Sequence, residues 1–247
     1  WSSDVCSSDL LGILNASTQA EIFNESEKLL SQGYRTIKVK VGFNVESDLT
    51  KVQNAQAALA GRALIRIDGN QGFSQEQACE FIERLDPKGI ELFEQPCASD
   101  DWDSAVKAAE ISPVEMMLDE SIYGVDDIYR ANQLQAAQYI KVKLMKFGSM
   151  QNLTDAITAI KELGMKAVLG NGVATDIGCW MEAIVASKYI DNAGEMNGFL
   201  KPKESILINP LIFKNGSISL EKNYKPLLNM QVIRKHSIDS EIGRAHV

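Results

Sequence analysis

The chain has 247 residues, 45% of them hydrophobic and 23% charged, with a formal net charge of −8, enough for one barrel-sized domain with a real core. An acidic chain with no clustered Lys/Arg tract argues against nucleic acid or an anionic membrane surface as partner, and no apolar stretch approaches the roughly 18 residues that span a bilayer. Cys79, Cys97 and Cys179 are widely spaced and unpaired in pattern, which argues against a disulfide framework or a zinc site and fits reduced core thiols of a cytoplasmic protein.

The two ends read as foreign to the domain. Glu241-Ile-Gly-Arg-Ala-His-Val247 can be encoded by DNA whose reverse complement encodes Asp4-Val-Cys-Ser-Ser-Asp-Leu10, so one DNA element flanks the gene in both orientations. It resembles a translated sequencing adapter. Residues 1–10, with Cys6, and 241–247 are therefore expected to lie outside the fold. Without them the formal charge is −6.

In chain order, Leu11-Gly-Ile-Leu-Asn15 is short and apolar, the tail of a first strand whose incompleteness is expected to leave a gap. Ser17 or Thr18 can cap the helix that follows. The runs Thr36-Ile-Lys-Val-Lys40, Ala63-Leu-Ile-Arg-Ile-Asp68, Ile90-Glu-Leu-Phe-Glu94, Glu115-Met-Met-Leu-Asp119, Tyr139-Ile-Lys-Val-Lys143, Met165-Lys-Ala-Val-Leu-Gly170 and Asp191-Asn-Ala-Gly-Glu195 each end on a polar residue or glycine. Between them 21–32, 48–60, 75–85 and 152–163 have helical character. Gly33, Gly89 and Gly164 stand where a helix C-terminal glycine is expected. A strand and helix repeated about every 25 residues predicts a TIM-type (β/α) barrel over 11–205. Strand C-terminal ends carry chemistry in that fold. The tail, 206–240, contains a hairpin in Leu211-Ile-Phe-Lys-Asn-Gly-Ser-Ile-Ser-Leu220, with Asn215-Gly216 suiting a type I′ turn.

Alternation puts Lys38 and Lys40 on one face of their strand and Ile37, Val39 and Val41 on the other; Lys141 and Lys143 repeat the pattern. The apolar face meets the helices, so the lysines point into the barrel. Three carboxylates on consecutive units, Asp68, Glu94 and Asp119, would compensate them. Like charges at close range raise one another's pKa, and a divalent cation with all-oxygen ligation, Mg²⁺, resolves the conflict. Each acid taken singly could instead cap a helix or pair with a lysine. Trp102, Trp180, Met116, Met117 and Met181 read as packing, and Lys141 and Lys146 as supporting or solvent-facing.

Ile37-Lys-Val-Lys-Val-Gly42, Ile67-Asp-Gly-Asn-Gln-Gly72, Leu92-Phe-Glu-Gln-Pro96, Leu118-Asp-Glu-Ser121 and Ile140-Lys-Val-Lys-Leu-Met-Lys-Phe-Gly148 resemble the barrel motifs of the enolase superfamily. More narrowly they resemble the muconate lactonizing enzyme subgroup, which includes dipeptide epimerases, N-acylamino acid racemases and o-succinylbenzoate synthases. The resemblance implies that Asp68, Glu94 and Asp119 bind Mg²⁺, that Lys40 and Lys143 are the acid and base, and that Lys38 assists Lys40. It also implies supporting or substrate-contacting roles for Asn70, Glu120 and Glu195; Gly170 and Asn171 either admit substrate or form a tight turn. The reaction implied is proton abstraction beside a carboxylate through an enediolate, ending in racemisation or epimerisation, with cycloisomerisation or elimination as the alternative. A non-catalytic metal-containing barrel is the reading of another class. The resemblance further implies a small carboxylate substrate, a homo-oligomeric parent and an N-terminal capping domain absent from this chain, which makes low activity the expectation. Glu195-Met-Asn197 stands where dipeptide epimerases typically show two aspartates, a departure that counts against that activity.

Overall fold

The structure is a computed structural model that describes residues 6–172 and 174–237. The chain opens on β1 (Cys6–Asp9) and then repeats a strand and a helix: β2 (Gly12–Leu14) and α1 (Gln19–Ser31), β3 (Thr36–Lys40) and α2 (Val45–Leu59), β4 (Leu64–Asp68) and α3 (Gln75–Arg84). β5 (Ile90–Glu94) and α4 (Trp102–Ile111), then β6 (Glu115–Leu118) and α5 (Val125–Leu134), continue the pattern. β7 (Tyr139–Lys143) leads through a short α6 (Leu144–Phe147) into α7 (Met150–Glu162), and β8 (Lys166–Gly170) into α8 (Asp176–Tyr189). A 3-10 turn at Gly198–Leu200, the strands β9 (Ile212–Lys214) and β10 (Ser217–Leu220) and α9 (Met230–His236) follow.

Strands β2 to β8 form one parallel sheet in sequence order, as the alternation of strands and helices predicted. The expected eighth strand at 191–195 forms only an isolated bridge between Gly194 and Leu10. Asp, Asn and Gly are poor strand formers. The segment still closes the ring. Leu11 N–H donates to Gly194 O, Gly194 N–H to Asp9 O and Glu195 N–H to Leu169 O, each at 2.9 Å. The gap expected beside the short first strand is therefore bridged, because Gly194 satisfies backbone groups on one side while Glu195 satisfies β8 on the other.

The N-terminal segment read as foreign is in part built into the structure. β1 pairs antiparallel with β10, which pairs with β9. Asn215 and Gly216 between β9 and β10 have φ of 51° and 77°, the two positive values that a type I′ hairpin requires. Residues 241–247 lie outside the described residues.

Helices begin where the sequence offers caps. Thr18 accepts from Glu21 N–H in a reciprocal capping box, and the buried stripe of α1 is Ile22, Ser26 and Leu29, one face at helical spacing. Two cores result. Ile37, Val39, Ile65, Ile67, Ile140 and Val142 face outward into the layer between sheet and helices, each side chain contributing roughly 1.5–3 kcal/mol on burial. Inside the barrel a separate group of Leu92, Met117, Tyr139 and Val168 packs together. Trp102 and Met116 are buried as expected of packing residues, while Trp180 and Met181 are partly exposed.

Candidate active site

Above the inner apolar group the barrel interior turns from hydrocarbon to charge. Register makes the change simple: Lys40 pairs with Asp68, Asp68 with Glu94, and Lys143 with Gly170, so the polar ends of successive strands lie at one level. Asp119 follows β6 directly, and Glu195 follows the Gly194 bridge. Lys40, Asp68, Asp119, Lys143 and Glu195 line a hollow of about 200 Å³ at this end, with Glu94 fully buried beneath. Two larger hollows, of about 500 and 540 Å³, lie at the other end of the strands around Ala63 and Arg35, away from these charges.

The charges form one network. Lys38 Nζ lies 2.7 Å from Asp68 Oδ2, 2.9 Å from Glu94 Oε2, and against Glu195 Oε1. Lys141 Nζ lies 2.7 Å from Glu94 Oε1, 2.6 Å from Glu195 Oε2 and 3.5 Å from Asp119 Oδ2. Lys143 donates to Asp119 Oδ2 at 2.6 Å, and Lys146 to Asp119 Oδ1 at 3.1 Å and to the Asp119 and Ile122 carbonyls. Among the described residues, Lys40 forms no salt bridge, and its side chain stands at the exposed rim. Lys40 and Lys143 sit on β3 and β7, four positions apart around the ring.

Burial and neighbouring charge oppose one another here, and among Glu94, Asp119 and Glu195 burial prevails only at Glu94. Glu94, wholly enclosed, is pushed up to about 7 by burial although Lys141 and Lys38 pull it down. Burial also opposes the charge of Glu195, but Lys141 and Lys38 outweigh it and hold the carboxyl at about 2. Asp119 is held well below the usual carboxylate range, against burial, by Lys141 and Lys143. Lys38 and Lys141 are held above the ordinary lysine range despite their burial, Lys38 first by Glu94 and Lys141 first by Glu195. The acids around Lys38 and Lys141 therefore favour the ammonium form of both.

The expected meeting of three acids around one cation is realised as three acids around shared ammonium groups. Among the described residues no three Asp, Glu, His or Cys side chains form a group that could hold a metal. The donor chemistry nonetheless fits a hard dication: all three acids are buried on neighbouring strand ends and offer only oxygen donors, with Glu94 Oε2 met by the Lys38 ammonium alone at 2.9 Å.

The other expected residues divide by what they touch. Asn70, at φ 42°, donates its N–H to Asp68 Oδ1 and its amide to Glu120 Oε1 at 3.2 Å, joining the loops after β4 and β6. At Gly170 a Cβ would lie 2.5 Å from Lys141 Cε and 3.2 Å from Lys143 Cε. That glycine makes room for two lysine stems. Asn171 donates to Cys179 Sγ at 3.2 Å and borders the same hollow.

Three residues carry more than the sequence disclosed. Lys141, read as supporting or solvent-facing, is 1% exposed at the centre of the network; alternation already pointed it inward. Buried Gln95 accepts from the Asp119 and Ser121 N–H groups and donates to Ser121 Oγ and Cys97 O, fixing the backbone that presents Asp119. Arg66, two residues below Asp68 on the same face, is fully buried and paired with Glu91 at 2.8 Å. An arginine inside an apolar run was the available signal.

A sequence model of the enolase C-terminal domain-like family matches residues 21–225. The chain belongs to that family. Relatives of this enolase-like barrel include the L-Ala-D/L-Glu epimerase of Bacillus subtilis, 25% identical over 84% of this chain and 58% of its own. The L-Ala-D/L-Glu epimerase of Thermotoga maritima is 34% identical over 59% of this chain and 42% of its own. Muconate cycloisomerase 1 of Rhodococcus opacus is 28% identical over 86% and 58%. The chain thus spans about half the length of the curated relatives it matches. The crystal structure of muconate cycloisomerase from Pseudomonas fluorescens superposes with a TM-score of 0.87 at 24% identity, covering 93% of this chain and 65% of that one. The fold is shared, and these relatives agree with the muconate lactonizing enzyme subgroup that the motifs resemble.

Proposed function

We propose that the protein removes and returns the proton on the carbon beside a carboxylate, acting as a racemase or epimerase of an amino acid derivative or dipeptide. The observation that carries this is the placement of Lys40 and Lys143 on opposite sides of one small hollow floored by acids. A carbon acid beside a carboxylate ionises reluctantly because its conjugate base is a dianion, and two amines on opposite faces suffice to invert the centre it leaves. Lys143 is held on one face of the hollow by its 2.6 Å contact with Asp119. Lys40, without a salt bridge among the described residues, stands on the other face, so that one lysine would take the proton and the other return it, the roles exchanging with the enantiomer.

Asp68, Glu94 and Asp119 would hold Mg²⁺. Bound there, the ion supplies a fixed positive charge that stabilises negative charge developing on the substrate carboxylate. Lys38 and Lys141 would add positive charge to that field from below, and Glu195 contacts both. Asn70 and Glu120 tie the loops that frame the opening.

A cycloisomerase or lyase is the second reading, supported by relatives that include muconate cycloisomerases and by Glu195-Met-Asn197 in place of paired aspartates. The test is deuterium incorporation from solvent at the α-carbon of N-acylamino acids, dipeptides and hydroxy acids in the presence of Mg²⁺. Exchange with retained or inverted configuration supports the proposal. Absence of exchange with every carboxylate, alongside measurable Mg²⁺ binding, would leave a binding barrel.

A further inference from the structure

The three acids sit on different strands, and one residue ties together the loops that carry them. Gln95 follows Glu94 directly and is 1% exposed, with a φ of 35° in the left-handed region. A residue with a side chain persists in that conformation only where its surroundings over-determine it. Here they do. Gln95 N–H donates to Met117 O on β6, and its carbonyl accepts the Gln71 N–H from the loop after β4, both at 2.9 Å. Its Oε1 accepts from the Asp119 and Ser121 N–H groups at 3.0 and 3.2 Å, and its Nε2 donates to Ser121 Oγ and Cys97 O at 2.9 and 3.0 Å.

The backbone of Gln95 and its amide oxygen thus join the end of β5 to the loops that bear the other two acids. Towards Asp68 the approach is close: Gly69 N–H donates to Glu94 O at 2.8 Å, and a Cβ at Gly69 would lie 2.7 Å from Pro96 Cα and 3.0 Å from Gln95 O. Asn70 and Gln71, in the same loop, also take positive φ, 42° and 65°. Towards Asp119 a side-chain amide does what a sheet ladder does elsewhere, since β6 ends at Leu118 and the next N–H groups still need acceptors.

We propose that Gln95 is a positioning residue for the metal site, and that its hold on the spacing of the three acids makes the site prefer Mg²⁺ to Ca²⁺. The assignment rests on the reading of Asp68, Glu94 and Asp119 as ligands of a divalent ion. Both ions take oxygen donors, but they differ in what they tolerate: Mg²⁺ is small and demands a near-fixed geometry, whereas Ca²⁺ accepts longer and more variable distances. Ligands hung on three independent loops would adapt to either. Gln95 removes that freedom without touching the ion, because it ties Glu94 and Asp119 to the loop of Asp68.

The test measures Mg²⁺ and Ca²⁺ dissociation constants by isothermal titration calorimetry in the unaltered protein and in two variants. Gln95→Leu fills the same space without a polar atom. Gln95→Asn suits the left-handed backbone but is a methylene too short to serve both N–H groups. In each, Mg²⁺ binding should weaken about 10- to 100-fold and Ca²⁺ binding by less than about threefold, so that the preference for Mg²⁺ falls. Equal weakening of both ions marks a general loosening and overturns the proposal, as does an unchanged preference in a variant shown by circular dichroism to be folded. If Gln95→Leu does not fold, Gln95→Asn decides; if neither folds, Gln95 is an element of the fold and the proposal falls. Absence of binding by the unaltered protein, or binding that persists in Glu94→Gln, overturns the metal reading itself and this assignment with it, an outcome distinct from a Gln95 variant that binds both ions normally.

Discussion

Lys143 and Asp119 meet across the ends of β7 and β6, with Nζ 2.6 Å from Oδ2. Lys40, on the far side of the ring, has no such partner among the described residues. The pair of lysines is thus asymmetric: one is tethered to a carboxylate, the other stands at the rim.

That asymmetry predicts different single-variant behaviour. Lys40→Ala and Lys143→Ala should each lower turnover about 10²–10⁴-fold, and each should spare wash-out of the α-proton from a different enantiomer. Proton NMR of separate enantiomers in deuterium oxide measures this. Loss of exchange with both enantiomers in both variants would remove the two-sided arrangement.

Magnesium should raise the melting temperature in proportion to the logarithm of its concentration above its dissociation constant. Glu94→Gln should abolish the rise, since it takes a ligand charge from the floor of the site. Calorimetric scans with and without chelator check it. An unchanged response in Glu94→Gln would place the ion elsewhere.

Glu195 holds two buried ammonium groups, so its replacement leaves both under-compensated. Glu195→Gln should destabilise the fold by about 3–5 kcal/mol, whereas Lys40→Ala at the exposed rim should stay within about 0.5 kcal/mol. Urea unfolding midpoints compare the two. Because the folded pKa of Glu195 lies below its unfolded value, its contribution is present above pH 4.5 and is lost as pH falls towards 2.

Glu182 gives the opposite slope. Its folded pKa, about 8, lies above the unfolded value of 4.5, so the folded state binds the extra proton between these limits. Stability should fall as pH rises through that window and level off above pH 8, by a few kcal/mol at most on the order of the shift. Glu182→Gln should flatten the dependence. Parallel curves for the two proteins would show an ordinary carboxyl.

Most of the fold was legible because a parallel barrel repeats one local pattern. The helices begin and end within three residues of where periodicity placed them, and Asn215-Gly216 made the turn expected of it. The segment 191–195 was the exception. It behaves as a strand position through a bridge supplied by residues distant in sequence, which no local propensity reveals. The site divided in the same way. Alternation placed Lys38, Lys40, Asp68, Glu94 and Lys143 correctly on inward faces, yet it could not say which lysine serves which acid. Lys141 and Lys143 share a face and a strand, but only their depth separates a buried partner of Glu94 and Glu195 from a group at the opening. Glu182 left no trace, since a glutamate in a helix of ordinary composition looks solvent-facing until α8 is packed.

The bridge at Gly194 joins the first barrel strand to a segment more than 180 residues downstream, and Glu195 is its immediate neighbour. The anion that compensates Lys38 and Lys141 is thus seated beside the point where the chain's beginning and its later part meet. Non-local closures of this kind come slowly in folding. A nascent chain would therefore hold Lys38 and Lys141 for some time with only the earlier acids as partners, and their charges would be fully met in the same step that makes the ring continuous.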